Sequence, residues 1–558
     1  MTYLPHNPLI AQSDHTLLLE TASPRFAEAR DALLAFAELV KSPEYIHTWR
    51  ITALSLWNAA AAGKTPGEVV ETLRALAKYP VPAALEEAIY DKMGRFGRLR
   101  LVRDGAWLRL EGEDEADVEA VRQLPDAADL FTADPRSRNT LRVHPRARGE
   151  VKQVLTALGH PVQDLAGYDD GDALTMRLAP DLPDGSAWSL RDYQIEAIDA
   201  FHGGPSAGSG VVVLPCGAGK TLVGIGAMVR LGMRTLILCT GHTALEQWRR
   251  EILERTTLTE AEVGSYTSQH KRLAPVTLTT YQLLTWRRSK DADPKHFQLF
   301  HEANWGLVIY DEVHLLPAPI FRASAWLQAR RRLGLTATLV REDGNEGDVF
   351  SLIGPKRFDM PWKRLEHQGW IAPARCVEVR VPMAPDARLR MVRAGARDSY
   401  RLAATSPRKG AAVQMLLKRH EGEPTLLLGT YVDHLAFLAR RFGIPMISGK
   451  TPRDERDALY ARFRSGELRA LALSKVGNFS VDLPDASVAI QVSGSWGSRQ
   501  EEAQRLGRVL RRKPDGRPAW FYTLVTPDSP EQACADHRQL FLTEQGYPYR
   551  IETFADAT

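Results

Sequence analysis

The stretch Val211 to Ile225, VVVLPCGAGKTLVGI, constrains this chain more than any other. Val211 to Leu214 are apolar and read as a short buried strand. Pro215, Cys216, Gly217, Ala218 and Gly219 make a turn. Lys220-Thr221 then opens a helix that continues through Leu222, Val223 and Ile225. Two glycines let a backbone wrap an anion closely, and a helix N-terminus adds favourable partial charge. In such a loop Lys220 reaches the β/γ-phosphates of a nucleotide and Thr221 binds Mg²⁺. Leu214 stands where the strict G-x-x-x-x-G-K-T pattern has its first glycine. Taken alone, the loop therefore leaves a chance turn open as the alternative.

A second Gly-Lys-Thr, Gly63 to Thr65, has neither an entering strand nor a run of glycines. Thr65 suits an N-cap, Pro66 a first helical position, and Glu68 the return contact of a capping box. Gly63 is a natural stop for the alanine run before it. This stretch is expected to be a helix junction.

Further along, Leu307 to His314 reads LVIYDEVH, an apolar strand running into two acids. A Mg-ATP site needs one carboxylate for the metal and a group that orients attacking water. Asp311 fits the first role and Glu312 the second. Both are expected at the carboxyl end of a parallel strand, where α/β sheets place their ligands. Far down the chain, QRLGRVLR (Gln504 to Arg511) puts Arg508 and Arg511 on one helical face. Guanidinium groups facing a γ-phosphate stabilise its transition-state charge. A plain basic helix is the alternative.

The set of motifs resembles a superfamily 2 helicase. LRDYQIEAI resembles the adenine-reading Q motif, with Gln194 as reader. PCGAGKT, DEVH, LTAT, SKVGNFSVDLP and QRLGRVLR resemble motifs I, II, III, V and VI. The likeness is closer to the XPB (xeroderma pigmentosum group B) helicases. Arg341-Glu342-Asp343 follows LTAT as the RED motif does there, and Leu352 to Met383, EEAQRLGRVLRRK and HRQLFLTEQGY are also similar. NPLIAQSDHTLLLE, from Asn7, is similar to the N-terminal domain of bacterial XPB proteins.

The resemblance implies ATP hydrolysis, with Mg²⁺, coupled to 3′-to-5′ movement on DNA and linked to repair. It implies ATP held in a cleft between two RecA-like domains by Gln194, Gly217, Ala218, Gly219, Lys220, Thr221 and Gln504. Arg508 and Arg511 would come from the second domain. Thr336 and Thr338, with Gly477 and Asp482, are expected to couple the nucleotide to the DNA grip. Thr280 is a candidate phosphate contact. Arg341, Glu342 and Asp343 are expected at the strand-separation point. Archaeal relatives work with a structure-specific nuclease, which makes such a partner an expectation here.

The expected fold class is α/β: two RecA-like parallel-sheet domains in tandem, at 186–354 and 355–558. A mainly helical N-terminal domain, 1–124, and a small α+β domain, 138–180, precede them. Helices are expected after Ser23-Pro24, over Leu54 to Ala62, after Thr65 and from Ala83 to Met93. Arg98 to Gly112 then alternates about Asp104-Gly105, a strong hairpin signal. Helices plus hairpin suggest a winged-helix module, with a helical protein-docking domain as the alternative. The small domain is read from strands at Leu141 to Pro145 and Thr175 to Ala179 about a helix through Val151 and Leu155. Its position resembles the damage-recognition domain of archaeal XPB relatives.

Within the second RecA-like domain, Arg390, Arg393, Arg397 and Arg401 recur at spacings of three and four. They are expected on one face of one helix, tracking DNA phosphates. The alternative is a solvated face. XPB relatives carry a thumb-like insertion at a similar position.

The net charge of the 558 residues is only +4, which permits a polyanion without requiring one. The four cysteines form no C-x-x-C pair, so a structural zinc is not expected. No apolar run approaches the ~18 residues of a membrane span. A cytoplasmic, nucleoid-associated protein is expected, without membrane contact. Three readings stay open: an ATP-driven DNA helicase, a duplex translocase that does not separate strands, and an ATP-gated scaffold recruiting a nuclease.

Overall fold

A computed structural model describes residues 3–42, 45–203, 207–215, 217–286, 296, 303–316, 330–337, 346–474, 486–494, 505–507, 516–547 and 549–555. The chain divides into two compact units. One comprises Met1–Val40, Glu44–Leu214 and Gly219–Asp359; the other comprises Lys41–Pro43, Pro215–Ala218 and Met360–Thr558.

The first unit is built around a seven-stranded parallel sheet. Its strands, in order across the sheet, are Val263–Ser265, Val276–Thr280, Thr235–Cys239, Leu307–Asp311, Arg331–Thr336, Ser209–Val213 and Lys356–Asp359. The middle strands are buried along their length rather than alternating, as expected of a parallel sheet covered on both faces. Lys356–Asp359 pairs with Ser209–Val213, so this layer extends past the boundary expected at Gly354.

The second unit carries another seven-stranded parallel sheet. It runs Met446–Ile447, Ala470–Leu473, Thr425–Leu428, Val488–Gln491, Ala519–Val525, Ala374–Arg380 and Tyr549–Thr553. Two RecA-like layers in tandem are thus present.

The expected single helix with four arginines on one face is corrected to two helices, Pro385–Arg393 and Ala396–Ala404. Ala394 (ψ 155) and Gly395 (ψ 160) are extended and break the run. Glycine forfeits helix stability, and here it serves as the N-cap of the second helix. Arg390 and Arg393 therefore lie on one helix, Arg397 and Arg401 on the next.

The region before the motor layers is less helical than its sequence suggests. Leu9–Ala11, Thr16–Glu20, Ile46–Arg50 and Glu38–Lys41 form a four-stranded sheet beside the helices. The helix expected after Ser23-Pro24 ends at Leu33, and the apolar residues beyond it feed the strand Glu38–Lys41. At Thr65 the capping box with Glu68 and the proline of the first turn are both present, as the helix-junction reading requires. Leu99–Asp104 and Trp107–Gly112 do form the hairpin. They are not a wing on the helices. They are the middle of a five-stranded sheet with Phe131–Ala133, Thr140–Val143 and Val162–Asp164. Leu99, Leu101, Leu108, Leu110, Leu141 and Val143 share one core with Val118, Val151 and Leu155. Thr175 to Ala179 joins no sheet; Leu178 makes one bridge to Thr256 instead.

This five-stranded module is fastened to the first motor layer. Asp164 bridges the buried cations Arg148 (2.8 Å) and Lys152 (2.9 Å). The Tyr168 ring faces the guanidinium groups of Arg148, Arg331 and Arg332 at 5.5–5.8 Å. Asp170 pairs with Arg331 and Asp172 with Arg234, each at 3.0 Å. Between those two acids, Gly171 lies so close to the backbone that a Cβ would stand 2.1 Å from the Gly306 nitrogen. Only glycine permits that approach. Gly171→Ala is expected to destabilise the first unit by ~1–3 kcal/mol, the usual cost of overpacking. Urea unfolding checks this: an unchanged midpoint would mean that the segment docks loosely.

Candidate nucleotide site

The loop after Ser209–Val213 takes left-handed backbone at Gly217 (φ +81) and Gly219 (φ +79). Gly219 is the N-cap of the helix Lys220–Leu231 and offers no side-chain cap, so the positive end of that helix opens from the loop itself. A Cβ on Gly219 would stand 2.5 Å from Gln194 Nε2. Gln194 is buried. Its Oε1 accepts the Arg191 backbone N–H at 2.9 Å, which turns the amide nitrogen toward the loop. Ala218 is buried and Thr221 begins the helix beside Lys220.

Facing that loop is the end of Leu307–Asp311. Glu312 has φ +51, a left-handed conformation that a residue with a side chain adopts at a cost. Lys220 Nζ lies 3.4 Å from Glu312 Oε1. His314 Nδ1 lies 3.5 Å from Glu312 Oε2 and 2.6 Å from the Thr336 hydroxyl. Lys220, Glu312, His314 and Thr336 thus form one line of polar contacts from the phosphate loop to the end of Arg331–Thr336.

The two acids titrate apart. Burial, reinforced by the neighbouring Glu312 charge, pushes Asp311 up to about 7 against the pull of Lys220 and a Trp248 hydrogen bond. Burial also opposes ionisation of Glu312, but Lys220 and His314 together hold it below its usual value. Such a split separates the roles of paired carboxylates. A divalent cation at Asp311 would favour its charged form. Asp311 and Thr221 therefore have the donor chemistry that Mg²⁺ requires. Glu312 Oε2 is buried without a hydrogen-bond partner among the described residues, leaving an acceptor for water.

Three residues of this site were given no individual role in the reading above. His314 sits in the DEVH stretch and bridges Glu312 to Thr336. The Tyr281 hydroxyl donates to the Asp311 carbonyl at 2.7 Å. Trp248 is buried, and its ring fills the space that a Cβ on Gly224 would need. His314 was legible from position alone; Trp248 and Tyr281 are brought in by tertiary packing.

The remaining candidates are dispersed. Thr280 is buried, and its hydroxyl caps the helix Tyr281–Thr285 by accepting the Leu283 N–H. Arg390 pairs with Asp386 at 3.1 Å. Arg393 ends its helix. Arg397 and Arg401 line a cavity of about 410 Å³ with Asp398, Thr430, Tyr431 and Val432. Thr338, Arg341, Glu342, Asp343, Gly477, Asp482, Gln504, Arg508 and Arg511 lie outside the described residues. Among the described residues, no helix is long and apolar enough to cross a membrane.

Two parallel RecA-like layers, one bearing a phosphate loop opposite a DEVH strand end, define a superfamily 2 helicase. Known sequences narrow this. The family described as ERCC3/RAD25/XPB C-terminal helicase matches residues 365–557. Type III restriction enzyme, res subunit, matches 187–341, and a helicase conserved C-terminal domain matches 9–134. A Kineococcus radiotolerans protein named DNA 3′-5′ helicase XPB is 54% identical over 98% of this chain and 96% of its own length. A Mycobacterium tuberculosis protein of the same name is 52% identical over 98% of each. The XPB/SSL2 subunit of general transcription and DNA repair factor IIH from Saccharomyces cerevisiae is 32% identical over 98% of this chain and 72% of its own. The chain belongs to the XPB helicase family.

Proposed function

We propose that the chain is an ATP-dependent DNA helicase that moves 3′ to 5′. The observation that carries this reading is the polar line Lys220–Glu312–His314–Thr336, which ties a phosphate loop to the strand end of a motor motif. Lys220 and the positive end of its helix bind the phosphates. Gln194, poised beside Gly219, reads the adenine, as the relatives' Q motif implies. Glu312, kept ionised, orients a water toward the γ-phosphorus and takes its proton. Asp311 and Thr221 would hold Mg²⁺, which when bound would supply charge neutralisation to the phosphates. Arg508 and Arg511 supply guanidinium charge to the γ-phosphate in the transition state, with Gln504 beside them. Thr336 and Thr338, with Gly477 and Asp482, pass the nucleotide state to the DNA grip. Arg341, Glu342 and Asp343 act where strands part. Arg390, Arg393, Arg397 and Arg401 meet DNA phosphates from two helices rather than from one stripe.

ATP turnover with single-stranded, duplex and forked DNA tests the reading, alongside Lys220→Ala and a strand-displacement assay. The expected result is turnover stimulated by DNA, displacement that needs ATP, and loss of both in Lys220→Ala. DNA-stimulated turnover without displacement would replace the helicase by a duplex translocase. Turnover indifferent to DNA would overturn the motor. Binding should also be salt-steep: each neutralised phosphate contributes a slope of about −0.9 on duplex DNA. A flat response between low and moderate salt would remove the phosphate-tracking arginines.

A further inference from the structure

The carbonyl of Asp311 and the φ angle of Glu312 meet in one peptide plane, so a group that holds the first constrains the second. Glu312 stands at φ +51 and ψ 56, left-handed backbone that is costly for a residue with a Cβ. Left to itself, such a residue relaxes to negative φ by turning that plane. The Tyr281 hydroxyl opposes the turn. It donates to the Asp311 carbonyl at 2.7 Å, from thirty residues earlier in the chain.

Tyr281 is a firm post for this bond. It is buried, and its ring shares a core with Leu238, Tyr310, Val313 and Leu316. It follows directly on the strand Val276–Thr280, in which Thr280 pairs with Cys239 of the neighbouring strand. Its own carbonyl accepts the Thr285 hydroxyl at 2.9 Å, which closes the short helix Tyr281–Thr285. Asp311 is held at a second point as well. The Trp248 indole donates to its carboxylate, and the Trp248 ring is wedged against Gly224, where a Cβ would stand 2.4 Å from Cη2. Held at carboxylate and carbonyl by two different elements, Asp311 cannot roll about its strand. The direction in which the chain enters Glu312 is therefore set.

That direction matters because the Glu312 carboxylate keeps several contacts at once. Lys220 Nζ lies 3.4 Å from Oε1 and His314 Nδ1 lies 3.5 Å from Oε2, and the Ala337 N–H also donates to the carboxylate. We propose that Tyr281 is a positioning residue for ATP hydrolysis, its hydroxyl pinning the Asp311–Glu312 peptide so that the Glu312 carboxylate stays aimed at the attacking water. The proposal rests on the role given to Glu312 above. Tyr281 touches neither nucleotide nor water; it acts through the carbonyl it holds. Without the hydroxyl, a buried carbonyl loses a donor and the left-handed strain has a path of release.

The test is Tyr281→Phe, which keeps the buried ring and removes one hydroxyl. ATP turnover with saturating single-stranded DNA gives kcat and KM, and ATP affinity and the melting temperature are measured beside it. The expected result is a loss of about tenfold in kcat, the scale of one buried hydrogen bond. KM and ATP affinity should change by less than about twofold, since the phosphate loop is untouched. The same substitution is then made in Glu312→Gln and read by single turnover. There it should cost less than about twofold, because the carboxylate that it positions is already gone. An equal loss in both backgrounds overturns the proposal. So does a fall of kcat and ATP affinity together in step with the melting temperature, the mark of a merely structural tyrosine, and so does full kcat in Tyr281→Phe. A Glu312→Gln variant as fast as the wild type removes the role of Glu312 and this proposal with it. A slow Glu312→Gln beside a fully active Tyr281→Phe overturns the proposal alone.

Discussion

Glu312→Gln is expected to lower ATP turnover by ~10²–10⁴-fold, the usual worth of a positioned general base. The amide keeps the size of the carboxylate and can still occupy the left-handed position at φ +51. What it loses is the charge that Lys220 and His314 sustain, and with it the ability to take a proton from water. ATP affinity should be nearly unchanged, because the phosphate loop and Lys220 are intact. A single-turnover assay with bound ATP separates the two effects. Equal rates in wild type and Glu312→Gln would remove Glu312 from the chemistry. They would leave its contacts with Lys220 and His314 as structural braces.

Lys409→Met is expected to have the largest effect on stability, a loss of ~3–5 kcal/mol, as when one partner of a buried ion pair is removed. Lys409 and Glu531 are both fully buried, with Nζ and Oε1 2.6 Å apart. The same ammonium donates to the carbonyls of Ala404, Val492 and Leu524. Burial, reinforced by the Arg538 charge, drives Lys409 downward, and the Glu531 carboxylate opposes that. Methionine fills the volume but strands the carboxylate and deprives three carbonyls of a donor. The double variant Lys409→Met/Glu531→Gln removes both charges and should recover part of the loss. Urea unfolding followed by a probe in the second unit reads the difference. Equal midpoints for wild type and Lys409→Met would show that water reaches the pair.

The nucleotide half-site was legible because its chemistry is local. A strand, two glycines and Lys220 are contiguous, and Asp311 and Glu312 follow an apolar run directly. Both parallel layers were legible for the same reason, since buried strands such as Thr425–Leu428 and Val488–Gln491 are short apolar blocks between helical stretches. The N-terminal region was harder. Leu9–Ala11 and Glu38–Lys41 are strands of only a few residues whose pairing is set by neighbours in the sheet, not by their own pattern. The hairpin was visible from Asp104-Gly105, but nothing local says that Thr140–Val143 would pair with its second strand. The arginine stripe failed at one residue: spacing placed four cations on one face, and Gly395 divided them. Trp248 and Tyr281 reach Asp311 from other elements of the sheet layer, a convergence no short window contains.

The clasp at Gly171 makes freight of everything before it. Whatever displacement nucleotide turnover imposes on the lobe bearing Lys220, the hairpin and its neighbouring sheets must travel with that lobe rather than lag behind it. A fluorophore placed near Trp107 would therefore serve as a remote pointer for a lobe whose own active surface is best left unlabelled.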